Sequence, residues 1–216
     1  MSGGRVALGI GTGWYAAEHE AYGVQFPSLG ERFERLEEQL AIVSGLWQTP
    51  VGETFSYTGR HYRLTDSPAL PKPVQSPRPP IVLGGAGKVR TPRLAATYAD
   101  EFNMPFRLLA ETRAQFDRVR EACAAAGRDP ASMTFSAALT VCCGRTTAEL
   151  DRRVAAIGPH AAELREKGVA GTPAQVVDAL GAFAEAGAAH AYLRIWDLDD
   201  LDHVELLGRE VARQLG

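Results

Sequence analysis

Short apolar segments alternate with longer amphipathic segments along most of the chain. The apolar segments are predicted to be β-strands because they are brief, rich in branched residues and bounded by turn residues. They lie at about 5–11, 81–83, 100–104, 133–142 and 190–196. Strands that alternate with helices are typical of a parallel sheet. The pattern therefore predicts an α/β protein, built either as an open doubly wound sheet or as part of a closed barrel.

The amphipathic segments carry signals for where helices begin and end. Serine or threonine followed three residues later by glutamate, as in Ser28–Glu31 and Thr146–Glu149, predicts a capping box. Threonine followed by proline predicts an N-cap with proline at the first helical position. The predicted N-cap residues are Ser28, Thr91, Thr146 and Thr172. Helices are also expected at about 109–126 and 200–215, and Gly187 is expected just past a helix end.

Two segments break the alternation of strands and helices. Residues 53–64, with a turn at Thr58-Gly59, are typical of a small hairpin. Residues 68–80 are rich in proline, which lacks a backbone N–H and does not fit a helix interior or a central strand. We interpret this second segment as a surface loop within one domain that covers residues 1–216.

The composition of the chain bears on its partners and on its location in the cell. The net charge of −3 gives no reason to expect a nucleic acid or an anionic membrane as a partner. We find no signal peptide and no apolar run near the ~20 residues that span a bilayer. Cys123, Cys142 and Cys143 are expected to be small buried hydrophobic residues in a reducing compartment. We therefore expect a cytoplasmic protein.

Two glycine clusters follow predicted strands, where α/β proteins place their ligands. The first, Gly9-x-Gly11-x-Gly13, is similar to a dinucleotide fingerprint but has its third glycine one residue early. The second, Gly84–Gly87 followed by Lys88, lacks the first glycine and the final Ser or Thr of a P-loop. Two interpretations stay open for the second cluster: its backbone binds a phosphate near a helix start, or it is a tight turn that needs glycine.

Aromatic and ionisable residues follow the first glycine cluster. Trp14, Tyr15, Glu18 and His19 could line a pocket for a flat ligand. The alternative is structural: Trp14 as a packing residue, Glu18 as a loop hydrogen-bonding group and His19 as a solvated loop residue. No metal-binding motif and no Ser-His-Asp spacing is recognisable in the sequence. Catalytic residues are therefore not assigned.

Taken together, these motifs resemble the luciferase-like monooxygenase family, and especially its branch that uses the deazaflavin coenzyme F420. The order and spacing of the motifs over residues 2–103 make the resemblance specific. The segments that carry it are Ser2–Trp14, Glu18-His19, Tyr22-Gly23, Glu31–Phe33, Leu46-Trp47, Tyr57–Tyr62, Pro71–Gln75, Pro79–Gly87, Leu94–Asn103 and Gly171–Val176.

The resemblance implies a (β/α)₈ TIM barrel that holds FMN or F420 at the carboxyl ends of its strands. Gly84, Gly85, Ala86 and Gly87 then resemble the family's phosphate cradle. Gly11, Thr12, Gly13 and Trp14 resemble the turn beside the isoalloxazine ring. The implied activity is that of a flavin- or F420-dependent oxidoreductase or monooxygenase acting on a small organic substrate, and the implied assembly is a homodimer.

The chain departs from the family pattern at its N-terminus. About five of eight parallel strand–helix units are recognisable, and the family begins with three more. Five parallel strands leave open edges that a closed barrel does not have. We therefore expect an N-terminally truncated barrel domain. The alternative is a catalytically incompetent or partner-dependent chain that binds a cofactor phosphate weakly or not at all.

Overall fold

The computed structural model describes residues 2–215. Helices and strands alternate through them, as the hydrophobic pattern predicts. The strands are β1 (Leu8–Ile10), β2 (Phe55–Thr58), β3 (Arg63–Ser67), β4 (Ile81–Gly84), β5 (Glu101–Pro105), β6 (Thr134–Cys143), β7 (Val169–Gly171) and β8 (His190–Arg194). The α-helices are α1 (Ala16–Ala21), α2 (Leu29–Gln48), α3 (Arg90–Tyr98), α4 (Leu109–Ala125), α5 (Thr147–Ala156), α6 (His160–Lys167), α7 (Pro173–Glu185) and α8 (Leu201–Leu206).

The chain divides into two compact units between Glu101 and Phe102. In the N-terminal unit, β1 and β4 are parallel neighbours, with Leu8 opposite Ile81 and Ile10 opposite Leu83. Helices α2 and α3 pack in this unit, and Leu36, Leu40, Ile81, Leu83 and Leu94 are each at most 3% exposed. Burial of such side chains stabilises the unit by about 1.5–3 kcal/mol each.

The predicted hairpin is confirmed as β2 and β3, which pair in antiparallel fashion. The carboxylate of Glu38 on α2 accepts backbone N–H bonds from Arg60, His61 and Tyr62 at 2.8–3.3 Å. Burial raises the pKa of Glu38, but these donors outweigh burial and hold that pKa below its ordinary value. Glu34, one turn earlier on α2, also contacts Arg60 and His61 at 3.0 Å, so two carboxylates of α2 hold the turn of the hairpin.

Strand β6 is central to the C-terminal unit. It lies beside β5 and pairs in parallel with β8 over Ser136–Thr140 and with β7 over Val141–Cys143. One face of the sheet packs on helices α7 and α8. This core contains Ala137, Leu139, Val141, Cys143, Val169, Val176, Leu180, Phe183, Leu206, Leu207 and Val211. The three cysteines are buried free thiols, as expected.

The five predicted strands are confirmed as β1, β4, β5, β6 and β8, and β7 was missed. Ser28, Thr146 and Thr172 are N-caps, as predicted. Thr91 is not: α3 begins at Arg90 with Val89 as its N-cap, and Thr91 is a buried residue of the first turn. In this position its side chain packs beneath the preceding glycine turn.

The helix predicted at about 200–215 is interrupted. Helix α8 ends at Leu206, a π-helical turn covers Leu207–Val211, and a 3₁₀ turn follows over Ala212–Gln214. Leu206, Leu207 and Val211 are all buried in the same core. A π turn inserts an extra residue into the helical repeat. This turn accompanies the simultaneous burial of the adjacent Leu206 and Leu207.

A buried polar network joins the end of β6 to α5 and α8. Arg153 is 4% exposed and donates to Asp200 at 2.7 Å, to Glu149 at 2.6 Å and to the Cys143 carbonyl at 2.7 Å. The Cys143 N–H donates to His203 Nε2 at 2.9 Å, so the buried imidazole is neutral with its proton on Nδ1. Burial, followed by the charge of Arg153, lowers the pKa of His203.

Replacing Arg153 is expected to destabilise the fold. Arg153→Gln leaves two partly buried carboxylates without their cation, so the free energy of unfolding should fall by about 3 kcal/mol in urea denaturation. The matched control is Arg209→Gln, which breaks the exposed pair between Arg209 and Glu205 and should change stability by less than about 0.5 kcal/mol. Equal effects of the two substitutions would contradict a structural role for the network.

Stability should also decline in mild acid because of His203. The pKa of His203 is lower in the folded protein than in the unfolded chain, so protonation favours unfolding. The stabilisation that neutral His203 provides is therefore complete above about pH 6.5 and is lost as the pH falls through the lowered pKa. Urea denaturation from pH 7 to 5 should show this decline. His203→Gln should flatten the decline, because glutamine keeps an acceptor for the Cys143 N–H and does not titrate. A decline of the same slope in both proteins would show that His203 is not its source.

Candidate functional site

The two predicted glycine turns are neighbours in the N-terminal unit. Ile10 is opposite Leu83 in the parallel ladder, so Gly11 and Gly84 occupy the same carboxyl edge. A Cβ atom built on Gly11 would lie 3.7 Å from the Gly84 carbonyl oxygen. The structure thus brings together the first residue of each predicted cofactor-binding group. A Cβ at Gly11 would make an ordinary van der Waals contact with this oxygen, and the branches of a larger side chain would extend into the space between the two turns.

The turn at Gly84–Gly87 wraps around Thr91. Gly85 has φ +149°, and a Cβ atom there would lie 3.3 Å from Thr91 Cγ2. A Cβ atom on Gly87 would lie 2.6 Å from Thr91 Oγ1, closer than real Cβ contacts allow. The requirements of the turn itself therefore account for glycine at both positions. A phosphate-binding role for this turn stays a prediction.

Helix α2 supports the turn at Gly11–Trp14 through the side chain of Arg32. Gly13 has φ +72°, and its carbonyl accepts a hydrogen bond from Arg32 Nη1. Trp14 is 79% exposed, and its ring lies 5.2 Å from that of Tyr15. The proposed packing role of Trp14 is therefore wrong, because the side chain is not buried. An aromatic surface follows this glycine turn, as the flat-ligand interpretation requires.

His19 and Glu18 lie on the short helix α1, and the loop placement expected for them is wrong. His19 Nδ1 is 3.0 Å from the Tyr15 carbonyl oxygen, which can only accept, so Nδ1 carries the proton. The centroids of the His19 and Phe26 rings are 4.6 Å apart, and the guanidinium carbon of Arg32 lies over the Phe26 ring, 3.9 Å from its centroid. The half-buried His19 is thus part of a small cluster that no local sequence pattern indicated.

A cavity of about 430 Å³ lies beside this cluster, within the N-terminal unit. Three of the residues singled out in the sequence line the cavity: Gly11, Thr12 and His19. The cavity is not lined by Gly13, by Trp14 or by the turn at Gly84–Gly87. Its wall is formed mainly by α2 and the segment before it. The lining residues are Gly11, Thr12, His19, Val24, Gln25, Pro27, Arg32, Arg35, Leu36 and Gln39.

Three polar side chains of the cavity wall, Arg32, Arg35 and Gln39, come from successive turns of α2. Arg35 donates to Glu31 at 2.8 and 3.0 Å, and this contact raises the pKa of Arg35. Gln39 donates to the Tyr62 hydroxyl at 2.7 Å. Arg32, one turn earlier, has the Gly13 carbonyl as its hydrogen-bond acceptor. The sequence pattern did not single out these three residues, because charged and amide residues are ordinary on an amphipathic helix.

A family model described as luciferase-like monooxygenase matches residues 1–168. The chain belongs to the luciferase-like monooxygenase family. The resemblance seen in the motifs is thereby confirmed, and so is the α/β fold class.

Two curated relatives show how this luciferase-like chain compares in sequence. It is 32% identical over 127 residues to an FMNH(2)-dependent dimethylsulfone monooxygenase from Pseudomonas putida, covering 59% of this chain and 34% of the relative. It is 37% identical over 102 residues to an F420-dependent glucose-6-phosphate dehydrogenase from Microbacterium testaceum, covering 47% of this chain and 28% of that protein. The matched segments thus span about a third or less of these relatives.

Solved structures agree on the fold of the luciferase-like chain. An F420-dependent secondary alcohol dehydrogenase in complex with an F420-acetone adduct superposes with a TM-score of 0.81 at 18% identity, over 96% of this chain and 69% of that one. The coenzyme F420-dependent tetrahydromethanopterin reductase from Methanopyrus kandleri gives 0.77 at 17% identity, over 100% and 76%. In the described part of the chain, no helix is long and apolar enough to cross a membrane.

The turn geometry predicts which glycine is needed for folding. Gly85→Ala should lower the free energy of unfolding by about 1–3 kcal/mol, because alanine at φ +149° is strained and its Cβ crowds Thr91. Gly9→Ala is the matched control: Gly9 lies on β1 with no atom within 4 Å of a built Cβ, and alanine there should be close to neutral. Chemical denaturation compares the two. Indistinguishable effects would refute the tight-turn interpretation.

Proposed function

We propose that this chain binds a flavin cofactor, FMN or F420, at the carboxyl edge of β1 and β4. In this proposal it serves an oxidoreductase or monooxygenase reaction on a small organic substrate. The observation that carries the proposal is the adjacency of the two glycine turns, with Gly11 against the Gly84 carbonyl, in a member of the luciferase-like family. Ligands of α/β proteins bind at this edge of the strands.

The residues present fit such a cofactor. Glycine at position 11 keeps the space between the turns free of side-chain atoms, and the exposed ring of Trp14 offers a flat apolar surface. Gly84, Gly85, Ala86 and Gly87 precede α3, whose N-terminal end favours negative charge such as a phosphate. Gly11, Thr12, Gly13 and Trp14 would lie beside the ring system.

The chemistry divides between cofactor and protein. A bound flavin or deazaflavin supplies hydride transfer or oxygen activation, and the protein supplies binding, orientation and protection from water. In this chain the orientation would come from the two turns, which β1 and β4 hold in register. A catalytic acid or base is not assigned. Several relatives are named as F420-dependent enzymes, and the motifs of this chain resemble the branch of the family that uses F420. We therefore propose that the chain binds F420 more tightly than FMN.

Three further features of the proposal concern the whole protein. We propose that residues 1–216 belong to one luciferase-like barrel domain. We propose a homodimer, as the family resemblance implies. A cytoplasmic location is supported by the three buried free thiols, which suit a reducing compartment.

Cofactor titration tests the proposal with a matched pair of variants. Gly11→Val places branched atoms against the Gly84 carbonyl, whereas Gly9→Val adds the same side chain where a built Cβ meets nothing within 4 Å. Equilibrium fluorescence titration with FMN and with F420 should show saturable binding to the wild type and to Gly9→Val. Gly11→Val should bind about tenfold or more weakly, because the added bulk competes with the cofactor.

Two results would count against the proposal. Equal affinity of Gly11→Val and Gly9→Val would show that the cofactor lies elsewhere. A folded wild-type chain that binds neither cofactor would favour the catalytically incompetent or partner-dependent alternative. A clear preference for FMN would overturn the proposed order of the two cofactors alone.

A further inference from the structure

We infer that the cavity beside Gly11 and Thr12 binds an oxyanion, the phosphate or carboxylate group of a small organic molecule, with Arg32 as its principal ligand. The inference deepens the proposed function, on which it rests, by giving the chemical class of a group that the site recognises. It concerns a cavity that the turn at Gly84–Gly87 does not line.

The charge of the cavity wall is the first argument. Two of the ten lining residues are arginines, one is a histidine, and none is an aspartate or glutamate. Arg35 has a partner in Glu31 at 2.8 Å. Arg32 makes no ion pair with any residue that the structure describes. A positive cavity wall in a chain of net charge −3 is a local concentration of charge that attracts an anion.

The hydrogen bonding of Arg32 is the second argument. A guanidinium carries five N–H donors, and within the described residues one nitrogen of Arg32, Nη1, is bound, by the Gly13 carbonyl. Its Nε is buried without a partner. Buried donors are normally satisfied, so this side chain is under-satisfied by the protein. An oxyanion bound at the guanidinium edge formed by Nε and Nη2 would supply the acceptor that Nε lacks and the missing negative charge.

The placement of Arg32 is the third argument. The Gly13 carbonyl holds one end of the guanidinium, and the Phe26 ring lies 3.9 Å from its central carbon. His19 packs on the same ring, and its Nδ1 is committed to the Tyr15 carbonyl. A cation held in place in this way loses little conformational freedom when a ligand binds. The His19 Nε2 atom remains as a second polar group of the wall.

The size of the cavity supports a small organic ligand. About 430 Å³ is within the range of small-molecule sites and exceeds what a bare anion needs. Val24, Pro27 and Leu36 contribute apolar surface to the same wall. The combination favours an anionic group attached to an apolar body.

The test uses the flavin-free full chain and inorganic phosphate as the probe, titrated by calorimetry at constant ionic strength. We expect saturable binding to the wild type and a loss of about tenfold or more in Arg32→Gln, since one charge-assisted contact is removed. Arg63→Gln is the matched control, because Arg63 is an exposed arginine of the same unit that does not line the cavity. It should bind phosphate within about twofold of the wild type.

Arg32→Gln also removes the contact with Gly13, so its folding is checked by circular dichroism. Arg32→Lys keeps the charge and is expected to retain part of the affinity, which separates an electrostatic role from a structural one. Absence of saturable binding of both phosphate and acetate to the wild type would overturn the inference. So would equal affinities of Arg32→Gln and Arg63→Gln in folded proteins.

Cofactor binding identifies the source of the oxyanion. If Arg32→Gln weakens the binding of FMN but not of riboflavin, which lacks the phosphate, the cavity takes the phosphate of the cofactor in place of the turn at Gly84–Gly87. If phosphate and FMN bind independently, the cavity takes an anionic substrate. Both results support an oxyanion site. Because the phosphate titration contains no flavin, a failure of this inference is distinguishable from a failure of cofactor binding.

Discussion

The parallel pairing of β1 with β4 is the constraint on which the candidate site depends. Parallel neighbours cannot be joined by a tight turn, so the connection from Ile10 to Ile81 is long and contains α2 and the hairpin. Because the two strands are parallel, both end at the same edge of the sheet, and the turns that follow them are neighbours. A shift of the register by one residue would reverse the side-chain faces of β1 and separate Gly11 from Gly84.

The long connection contributes to the site as well as spanning the distance. Helix α2 begins at the Ser28 cap, and its first turns place Arg32 beneath the Gly13 carbonyl. The hairpin that follows returns to α2 through the three N–H bonds to Glu38. The same helix therefore supports the glycine turn at one point and anchors the hairpin at another. Both contacts lie in the first half of this 20-residue helix.

Local features were predictable from the sequence. The strand at Ile81 is a compact apolar run before a glycine turn, and Thr172-Pro173 carries a complete helix-start signal, so both were found. Strand β7 was missed because it is Val-Ala-Gly with a single branched residue, whereas β1, equally short, lies in the longer apolar run Val6–Ile10. Thr91 was misplaced because its side chain serves tertiary packing under the turn at Gly85, which overrides its preference for an N-cap.

In the candidate site, too, local features were predictable from the sequence and features built by tertiary contacts were not. Its glycine turns could be placed because each directly follows a strand, whereas the cluster of His19, Phe26 and Arg32 is assembled by tertiary contacts that no spacing rule contains. The family resemblance indicates the cofactor class that we propose, which periodicity alone could not. It did not identify the cavity wall, because residues on α2 look like an ordinary charged helix face.

Two arginines show how a single residue type takes opposite roles. Arg153 is buried with two carboxylates and a carbonyl around it, so its charge and its donors are satisfied within the protein. Removing it leaves those acceptors without their cation. Arg32 has a carbonyl and an aromatic ring around it but no carboxylate among the described residues, and it faces a cavity. Desolvating a cation without a counter-ion is unfavourable. The first arrangement is complete without a ligand, and the second becomes complete when an anion enters the cavity.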